Sequence, residues 1–465
     1  MFVKKITTTT CSLIIRRKYC SVRNFEDIPS TRGLPMVGST FSLVITGGLK
    51  KLHKYIDRRH KKLGPIFRDN VGPVTAVFLS DPDEMRAVFA KEGKYPKLTK
   101  PTSWLLYNEK NNYSRGLFFM EGEEWRHFRR IMNRLLLKGD FSWIETSCDA
   151  ATNLLIDRIN PNEEFKNLEA ELYKWSLEVM VSVLIGGDNY KRRYEEIENL
   201  MDRLSSTVNL IFKRTSELQL IPAELALKLN LKRWRNFEES VKRSLNLAND
   251  LIDRIRNEND GLINKMKREN INNKDLDRII IDLIISAGDT TSYTMIWILF
   301  LMAKHKNHQT KLRQTLRSDP KTNYAKNIVR ESLRLYPVAP FLTRVLPEDA
   351  VICGYNVPAG TTVVMSVYTS GRNGKYFKRP DVFLPERWDR GGMNDSSVRQ
   401  ASLPFSMGPR SCVGKKIAEI QLTVTLSKLI ENFNIDIVND EEIDDVLVMV
   451  PQPSKPLRLI FRNIT

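Results

Sequence analysis

A single cysteine, Cys412, stands in the stretch FSMGPRSCVGKKIAE, just before a predicted helix. Unpaired backbone N–H groups and the positive end of a helix dipole favour a thiolate at such a position. Gly408 and Gly414 let the backbone turn tightly and lie flat against a large planar group. Arg410 could bind a carboxylate. Together these residues are typical of a haem site in which Cys412 ligates the iron. A buried structural cysteine is the alternative that this stretch leaves open.

A second candidate for chemistry is the pair Asp289 and Thr290, in the middle of the long apolar segment 278–305. A hydroxyl inside a helix can bond to a backbone carbonyl and open the turn. An adjacent carboxylate can relay protons from solvent. The pair would suit a helix that passes over a reacting centre and protonates it, whereas an ordinary kink in a core helix is the alternative. The segment is long enough to span a bilayer, but Asp282 and Asp289 interrupt it, so we predict a buried core helix.

Glu331 and Arg334 are spaced i, i+3 in VRESLRLYP and can pair on one helix face. Arg387 lies 25 residues before Cys412 and supplies a third partner. We therefore predict a buried Glu–Arg–Arg cluster that clamps the Cys412 loop, and breaking it would cost about 3–5 kcal/mol. The alternative is a solvated helix face.

Trp125 and Arg129 are spaced i, i+4 within GEEWRHFRR, so both lie on one helix face. There both could donate hydrogen bonds to an anionic group such as a haem propionate. A solvated basic face is the alternative for this pair alone.

The elements that position these residues are mostly helical. The chain has 465 residues, 42% of them hydrophobic and 28% charged, which suits a large folded core under a charged surface. Strand-like pieces are short, and neither a repeat nor a long internal linker divides the chain. The five cysteines are far apart and form no CxxC pair, which argues against a disulfide framework and a zinc site. The net charge of +18 favours an acidic partner.

The first 25 residues contain no Asp or Glu and are rich in Lys, Arg, Thr and Ser. This composition predicts a mitochondrial transit peptide over 1–25, followed by one catalytic domain over 26–465. A basic tail is the alternative. No N-terminal segment has the ~20 apolar residues of a membrane anchor.

The order and spacing of these motifs resemble the cytochrome P450 family of haem-thiolate monooxygenases, from about residue 28 to the end. The resemblance implies a mainly α fold with small β-sheets in a single large domain. It implies that haem b lies between the long helix and the helix after Cys412, the proximal iron ligand. It also implies that Asp289 and Thr290 deliver protons during oxygen cleavage. The residues implied in haem binding are Cys412, Arg410, Trp125, Arg129, Arg344, Phe405 and Gly414.

Two departures from the family pattern stand out. The long helix has Ala287-Gly288 before its acid, so the usual glycine is shifted by one residue and the geometry of the groove is open. The Cys412 stretch has Ser406 where a glycine is common, and we expect this change to be neutral.

The basic N-terminus indicates the mitochondrial branch of the family. Lys326 and Arg330, at i and i+4, resemble the pair that docks an acidic ferredoxin in that branch, and Lys415 and Lys416 stand where it has two arginines. The resemblance thus implies electrons from a ferredoxin fed by an NADPH-dependent reductase. A generic basic surface is the alternative.

The mitochondrial branch mostly hydroxylates sterols, steroids and secosteroids with O2. Ser286–Thr294 is similar to the same stretch of insect ecdysteroid 2-hydroxylases, so an ecdysteroid precursor is the favoured substrate. We expect the enzyme on the matrix side of the inner membrane, in peripheral contact through the helix at 47–62 and the apolar stretch Leu220–Leu231. The apolar pocket residues that the resemblance implies are Leu117, Phe118, Ile285, Val338, Phe341 and Val450.

Two other functions fit parts of the sequence. A haem-thiolate isomerase, dehydratase or gas sensor would not activate O2 and would need no proton relay, so the retained Asp289 and Thr290 argue against it. A non-enzymatic basic protein that binds RNA or lipid would need no cofactor, which the Cys412 stretch argues against. We therefore predict no nucleic-acid partner.

Overall fold

The computed structural model describes residues 22–30, 39–71, 74–219, 221–389, 401–439 and 441–464. Most of the predicted transit peptide lies outside this range, as does Leu220. Of the transit peptide, residues 22–25 are described, and they pack on the domain: the Arg23 guanidinium lies 3.7 Å from the centre of the Tyr355 ring. The cleavage site stays a prediction.

Helices make up most of the described chain, which confirms the predicted mainly α fold. Local signals set their ends: Asp81 caps the third helix by accepting from the N–H groups of Asp83 and Glu84, and Asn272 caps the twelfth. The helices are α1 Thr40–Ile45, α2 Leu52–Leu63, α3 Pro82–Ala90, α4 Thr102–Lys110, α5 Gly122–Leu137, α6 Ser142–Asp157, α7 Leu168–Ile185, α8 Gly187–Glu217, α9 Ala223–Lys228, α10 Lys232–Ile255, α11 Gly261–Arg268, α12 Asn273–Lys304, α13 Lys306–Ser318, α14 Tyr324–Leu335, α15 Val367–Ser370 and α16 Lys415–Asn432.

The strands are short and form one four-stranded and three two-stranded sheets within the described residues. The larger sheet has the order β1-β2-β6-β3, with β2 parallel to β6 and the other neighbours antiparallel. The small sheets pair β4 with β5, β7 with β10 and β8 with β9. The strands are β1 Ile66–Val71, β2 Val74–Leu79, β3 Phe341–Val345, β4 Ala350–Ile352, β5 Tyr355–Val357, β6 Thr362–Ser366, β7 Phe433–Ile437, β8 Asp445–Val448, β9 Val450–Pro453 and β10 Leu459–Asn463.

Helix α12 runs through the centre of the main core and packs against α7, α8, α10, α14 and α16. By length and composition it could cross a membrane, but 83% of its most apolar 18-residue window is buried inside the protein. It is therefore the core helix that the sequence predicted. Trp297, near its C-terminal end, is fully buried and stacks on Tyr336 with 3.8 Å between the ring centres.

Candidate functional site

The Cys412 loop is closed by backbone hydrogen bonds. The Cys412 N–H donates to the Phe405 carbonyl (2.9 Å), and the Ser411 N–H donates to the Gly408 carbonyl (3.0 Å). Gly408 has a φ of +77°, and a side chain there would collide with the Glu92 carboxylate. This position therefore requires glycine on two counts.

Ser406 has a φ of +60°, in the left-handed region that a non-glycine residue reaches only at a cost. Its hydroxyl is buried and has no hydrogen-bond partner among the described residues. Glycine would fit this backbone conformation at a lower cost, and that the serine is neutral stays a prediction.

The Cys412 side chain is exposed although protein surrounds it on all sides. Burial raises the pKa of the thiol, while the Gly414 N–H and the Arg129 guanidinium act in the opposite direction. Without a metal at the sulfur, burial thus raises the pKa of the Cys412 thiol more than the helix N-terminus lowers it, which differs from the thiolate that the sequence predicted. A metal cation at the sulfur would reverse this balance, because a coordinating thiol is deprotonated. A residue that is accessible although it lies deep in the fold indicates open space beside it.

Helix α12 supplies another accessible surface inside the fold. Ser286 and Thr290 lie one turn apart on the same face, and both are exposed although most of the surrounding helix is buried. The Thr290 hydroxyl donates to the Ser286 carbonyl (3.0 Å), which is the backbone bond that the sequence predicted. Because α12 packs against α16, the helix that follows Cys412, the two accessible surfaces indicate an internal cavity between these elements.

Asp289 points away from that face and is only 1% exposed. Burial raises the pKa of its carboxyl to about 8; the Tyr173 hydroxyl lowers this pKa, and the charge of Glu169 adds to the increase. A carboxyl with such a pKa can hold or release a proton near neutral pH.

Three guanidinium groups converge near the Cys412 loop. The Arg410 group lies 4.0 Å from the centre of the Trp125 ring and donates to the Met120 carbonyl (2.8 Å). Burial lowers the pKa of Arg410 to about 10, and Arg129 and Arg344 contribute to the decrease by repulsion. Crowded, buried cations of this kind favour a bound anion.

Arg344 and Glu92 form a buried ion pair, and Arg344 also donates to the Met407 carbonyl (3.2 Å). Burial raises the pKa of Glu92, while Arg344 and Arg410 lower it. The sequence analysis did not identify Glu92. Its carboxylate pairs with Arg344, a predicted propionate ligand, and lies beside Gly408 of the Cys412 loop.

The described residues fit haem. An accessible buried sulfur, a glycine-dependent loop beside it, and converging guanidinium groups match an iron, a flat macrocycle and two carboxylates. Cys412 would hold the iron. The side chains that would hold the carboxylates are those that contact the Cys412 loop or act on one another: Trp125, Arg129, Arg344 and Arg410.

Glu331, Arg334 and Arg387 lie together in one buried cluster. Arg334 binds both carboxylate oxygens of Glu331 (2.8 and 2.9 Å), and Arg387 Nε and Trp388 Nε1 donate to the same carboxylate (3.1 and 2.9 Å). In the described part of the chain, the other guanidinium bonds go to carbonyls between residues 371 and 382 rather than to the Cys412 loop. The cluster therefore fixes the segment that leads towards that loop.

The predicted substrate-pocket residues divide among three environments. Leu117, Ile285 and Val450 are buried in the main core, and Val338 packs against it. Phe341 packs against a separate cluster beside β1, β2 and β6. Phe118 is 48% exposed and contacts Phe119 edge to face. Their role as a common pocket stays a prediction.

A buried ion pair that the sequence analysis missed holds the loop that carries Leu117 and Phe118. Arg115 Nη2 lies 2.7 Å from Asp282 Oδ1, and both side chains are buried. The Arg278 guanidinium donates to the Arg115 carbonyl (2.8 Å). These contacts pin the loop to α12 and explain how a helix so apolar carries Asp282 in its core.

All four predicted ferredoxin-docking cations line one surface concavity of about 630 Å³. Lys326 and Arg330 are exposed on α14, while Lys415 and Lys416 lie at the start of α16. The cavity wall also includes Phe405, from the Cys412 loop. The basic concavity thus lies against the back of that loop.

The two segments predicted to contact a membrane differ in exposure. Helix α2 covers most of the first segment, 47–62, and buries Tyr55 and Ile56 in a hydrophobic cluster. In the second segment, Leu225 and Leu229 are 47% and 58% exposed and lie one turn apart.

Comparison with known proteins gave one family and several relatives. The family model described as "Cytochrome P450" matches residues 28–461. The chain is 37% identical to "Cytochrome P450 315a1, mitochondrial" of Drosophila melanogaster, over 95% of this chain and 89% of that protein. It is 29% identical to "Cholesterol side-chain cleavage enzyme, mitochondrial" of Oncorhynchus mykiss, over 96% and 91%. It is 27% identical to "1,25-dihydroxyvitamin D(3) 24-hydroxylase, mitochondrial" of Mus musculus, over 94% and 89%.

Proposed function

This chain belongs to the cytochrome P450 family, as its sequence predicted, and on that premise we propose that it hydroxylates a sterol-derived substrate, an ecdysteroid precursor. It is a mitochondrial haem monooxygenase. The observation that carries the proposed site is the pair of accessible surfaces inside the fold, one at Cys412 and one at Thr290. The reaction consumes the substrate, O2, two electrons and two protons, and yields the alcohol and water.

The substrate class follows from two observations. The relatives from Oncorhynchus mykiss and Mus musculus are named for cholesterol and for dihydroxyvitamin D(3), which are sterols or sterol derivatives. The narrower choice of an ecdysteroid precursor is supported by Ser286–Thr294, whose sequence is similar to that of insect ecdysteroid 2-hydroxylases. This stretch includes the accessible face of α12, where a substrate would lie.

Haem b with a thiolate ligand supplies the oxygen-activating chemistry. The chain's own residues divide the remaining tasks. Cys412 would ligate the iron, and Arg410, Arg344, Arg129 and Trp125 would bind the propionates. Thr290 presents its hydroxyl to the cavity, and Asp289, one residue away, holds the proton to be delivered.

The substrate is tested by reconstitution with a ferredoxin and its NADPH-dependent reductase against a panel of sterols and ecdysteroid precursors. We expect a product with one added oxygen atom from an ecdysteroid precursor, identified by mass spectrometry. Turnover of other sterols without any ecdysteroid product would reject the narrower substrate. Oxygen-independent isomerisation would reject the monooxygenase reaction.

The site assignment is tested by two substitutions. Cys412→Ala should abolish the red-shifted Soret band of the ferrous–CO complex, and retention of that band would reject Cys412 as the ligand. Thr290→Ala should release more peroxide and form less product. Thr310→Ala is its matched control, because the Thr310 hydroxyl also bonds to the carbonyl four residues earlier, but on the surface helix α13.

We also propose that an acidic ferredoxin docks in the basic concavity. Lys326 and Arg330 are exposed, and no ion pair holds either of them among the described residues, so both are free to meet carboxylates. Opposite charges on two proteins steer their encounter and lose strength with added salt. Docking there would bring the electron donor against the loop that carries Cys412.

Charge reversal tests this docking site. Lys326→Glu with Arg330→Glu should raise the ferredoxin KM about tenfold at low salt and much less at high salt, with the Soret band unchanged. Lys191→Glu with Arg203→Glu, two exposed reversals on α8 with the same change in net charge, is the control. Equal effects of the two reversals would show that only net charge matters.

For the membrane contact, we propose that the exposed apolar residues of the second predicted segment enter the lipid surface. Leu225→Ser with Leu229→Ser should reduce co-flotation with vesicles of inner-membrane composition, while Leu210→Ser, also an exposed leucine, should not. Unchanged flotation of the double variant would reject this contact.

A further inference from the structure

A second surface pocket, of about 780 Å³, lies where α7, α8 and α12 meet. Its wall includes Glu169 and Tyr173 from α7 and Asn209 from α8. Glu169 is exposed to solvent there, whereas Tyr173 is 2% exposed. The pocket thus runs from open solvent down to a buried tyrosine that lies against α12.

The helices α7 and α12 carry two facing pairs of polar residues at this place. Glu169 and Tyr173 are one turn apart on α7, and Asp289 and Tyr293 are one turn apart on α12. The Tyr293 hydroxyl donates to the Glu169 carboxylate. The Tyr173 hydroxyl lowers the pKa of the Asp289 carboxyl, and Asp289 in turn raises the pKa of Tyr173. The pairs form the two steps of a ladder between solvent and Asp289. A charge interaction couples Tyr293 to Tyr173, but no hydrogen bond joins their two hydroxyls among the described residues.

Gly288 makes the inner step of the ladder possible. A side chain at this position would collide with the Tyr173 hydroxyl and ring. The shifted glycine that the sequence analysis noted therefore lets Tyr173 approach the helix beside Asp289. One turn further, Ser176 fixes the packing by donating to the Ala287 carbonyl (2.8 Å).

The inner step has unused hydrogen-bonding capacity. The Tyr173 hydroxyl oxygen and Asp289 Oδ1 are both buried and have no hydrogen bond of regular geometry among the described residues. A buried polar atom without a partner destabilises the folded protein. Such a cost is expected to persist where the atoms must exchange a proton rather than hold a fixed bond.

We propose that Glu169, Tyr293 and Tyr173 conduct protons from this pocket to Asp289. A proton from pocket water binds the Glu169 carboxylate. Each tyrosine hydroxyl in turn accepts one proton on its oxygen and releases its own, and pocket water carries the proton between the two hydroxyls, so neither changes its net charge. Asp289 receives the proton and passes it on beside Thr290, and the path is reloaded for the second proton of each turnover. This inference rests on the proposed role of Asp289 as the proton donor.

The electrostatics of the path agree with this role. Burial raises the pKa of Tyr173 and of Tyr293 far above the usual value, so both stay neutral hydroxyls that can accept and donate together. Glu169, on α7 at the solvent end of the path, is the charged group whose repulsion raises the pKa of Asp289.

The direct test follows the Asp289 proton itself in the haem-loaded enzyme. At about pH 6.5 the carboxyl is protonated, so infrared spectroscopy should show a C=O band that Asp289→Asn lacks. Transfer into D2O shifts that band as the proton exchanges. Tyr173→Phe and Tyr293→Phe should each slow this exchange by about tenfold or more. Glu169→Gln should slow it as well.

Tyr190→Phe is the matched control. Tyr190 is also fully buried, its hydroxyl also has no partner among the described residues, and it lies on α8 near Tyr194 rather than near Asp289. We expect unchanged exchange in this variant. Exchange at the original rate in both ladder variants, an equal slowing in all three tyrosine variants, or the lack of an Asp289 band would each overturn the proposal.

Turnover separates this inference from the proposed function. Asp289→Asn should lower product per NADPH and raise peroxide; if it does not, the role of Asp289 itself is wrong. If Asp289→Asn has that effect, while Tyr173→Phe and Tyr293→Phe keep the original yield and solvent isotope effect, only the path is wrong. We expect both tyrosine variants to lower the yield and increase the solvent isotope effect.

Discussion

Replacing Asp289 with asparagine should stabilise the protein increasingly as the pH rises from acid to neutral. Burial raises the pKa of this carboxyl from 3.8 to about 8. A carboxyl with a raised folded pKa contributes stability that is fully present below its unfolded pKa and is lost as the pH rises through the folded pKa. Asparagine resembles the protonated carboxyl in shape and does not ionise, so it avoids that loss.

The magnitude follows from the two pKa values. One pKa unit corresponds to about 1.4 kcal/mol. Between the unfolded and the folded pKa, the free energy of unfolding of the protein with Asp289 therefore falls by about that amount for each pH unit. From about pH 5.5 to about pH 8, the stability advantage of Asp289→Asn should therefore grow by about 3 kcal/mol. Above about pH 8 the advantage should level off, because the folded carboxyl then ionises as well.

Urea unfolding of the haem-loaded proteins at a series of pH values, followed by circular dichroism, measures this difference. Glu164→Gln is the control: Glu164 pairs with Arg458, and a hydrogen bond from Arg458 lowers the pKa of its carboxyl. Both its folded and unfolded pKa values lie below the tested range, so its effect should be constant. An Asp289→Asn difference that does not change with pH would refute the reasoning, since the carboxyl would then be ionised throughout.

Three other substitutions test how the site is held. Glu331→Gln should cost about 3–5 kcal/mol of unfolding free energy and reduce haem incorporation, because it leaves buried guanidinium groups without a counter-charge; the exposed Glu195→Gln should do neither. Ser406→Gly should stabilise the protein by about 1 kcal/mol in thermal unfolding, since glycine removes the strain of the left-handed backbone; an unchanged midpoint would contradict that strain. Arg115→Met should cost about 3–5 kcal/mol and expose its loop to limited proteolysis, whereas Arg115→Met with Asp282→Leu should recover most of that loss. A double variant as unstable as the single one would show that packing, not charge, holds the loop.

The sequence analysis identified the residues whose partners lie close to them in the sequence. Glu331 and Arg334 are one turn apart on a helix, so their spacing alone predicted a pair. Cys412 was identified because its glycines and arginine lie within a few residues of it. The apolar run of α12 similarly predicted a long core helix, since the helical pattern needs only the segment itself.

The residues that the sequence missed have partners far along the chain. Arg115 and Asp282 are 167 residues apart, and Glu92 and Arg344 are 252 apart. Such pairs form because of how loops and helices pack together. The residue pattern within one segment does not reveal which distant segment it packs against. Phe341 shows the same limit, because whether a strand residue faces one core or another depends on the sheet beside it. Tyr173 was missed because its partners on α12 come more than a hundred residues later.

The close packing of Tyr173 on Gly288 also constrains how this enzyme can evolve. The space that a methyl group at 288 would need is filled by the phenol ring, so the two positions cannot drift independently. A lineage that restores the usual glycine one residue earlier and gains alanine at 288 must also accept a smaller residue at 173. Related sequences should therefore show coevolution of these two positions, and their pairing would distinguish enzymes in which a tyrosine packs on α12 in this way from those in which α7 and α12 pack differently.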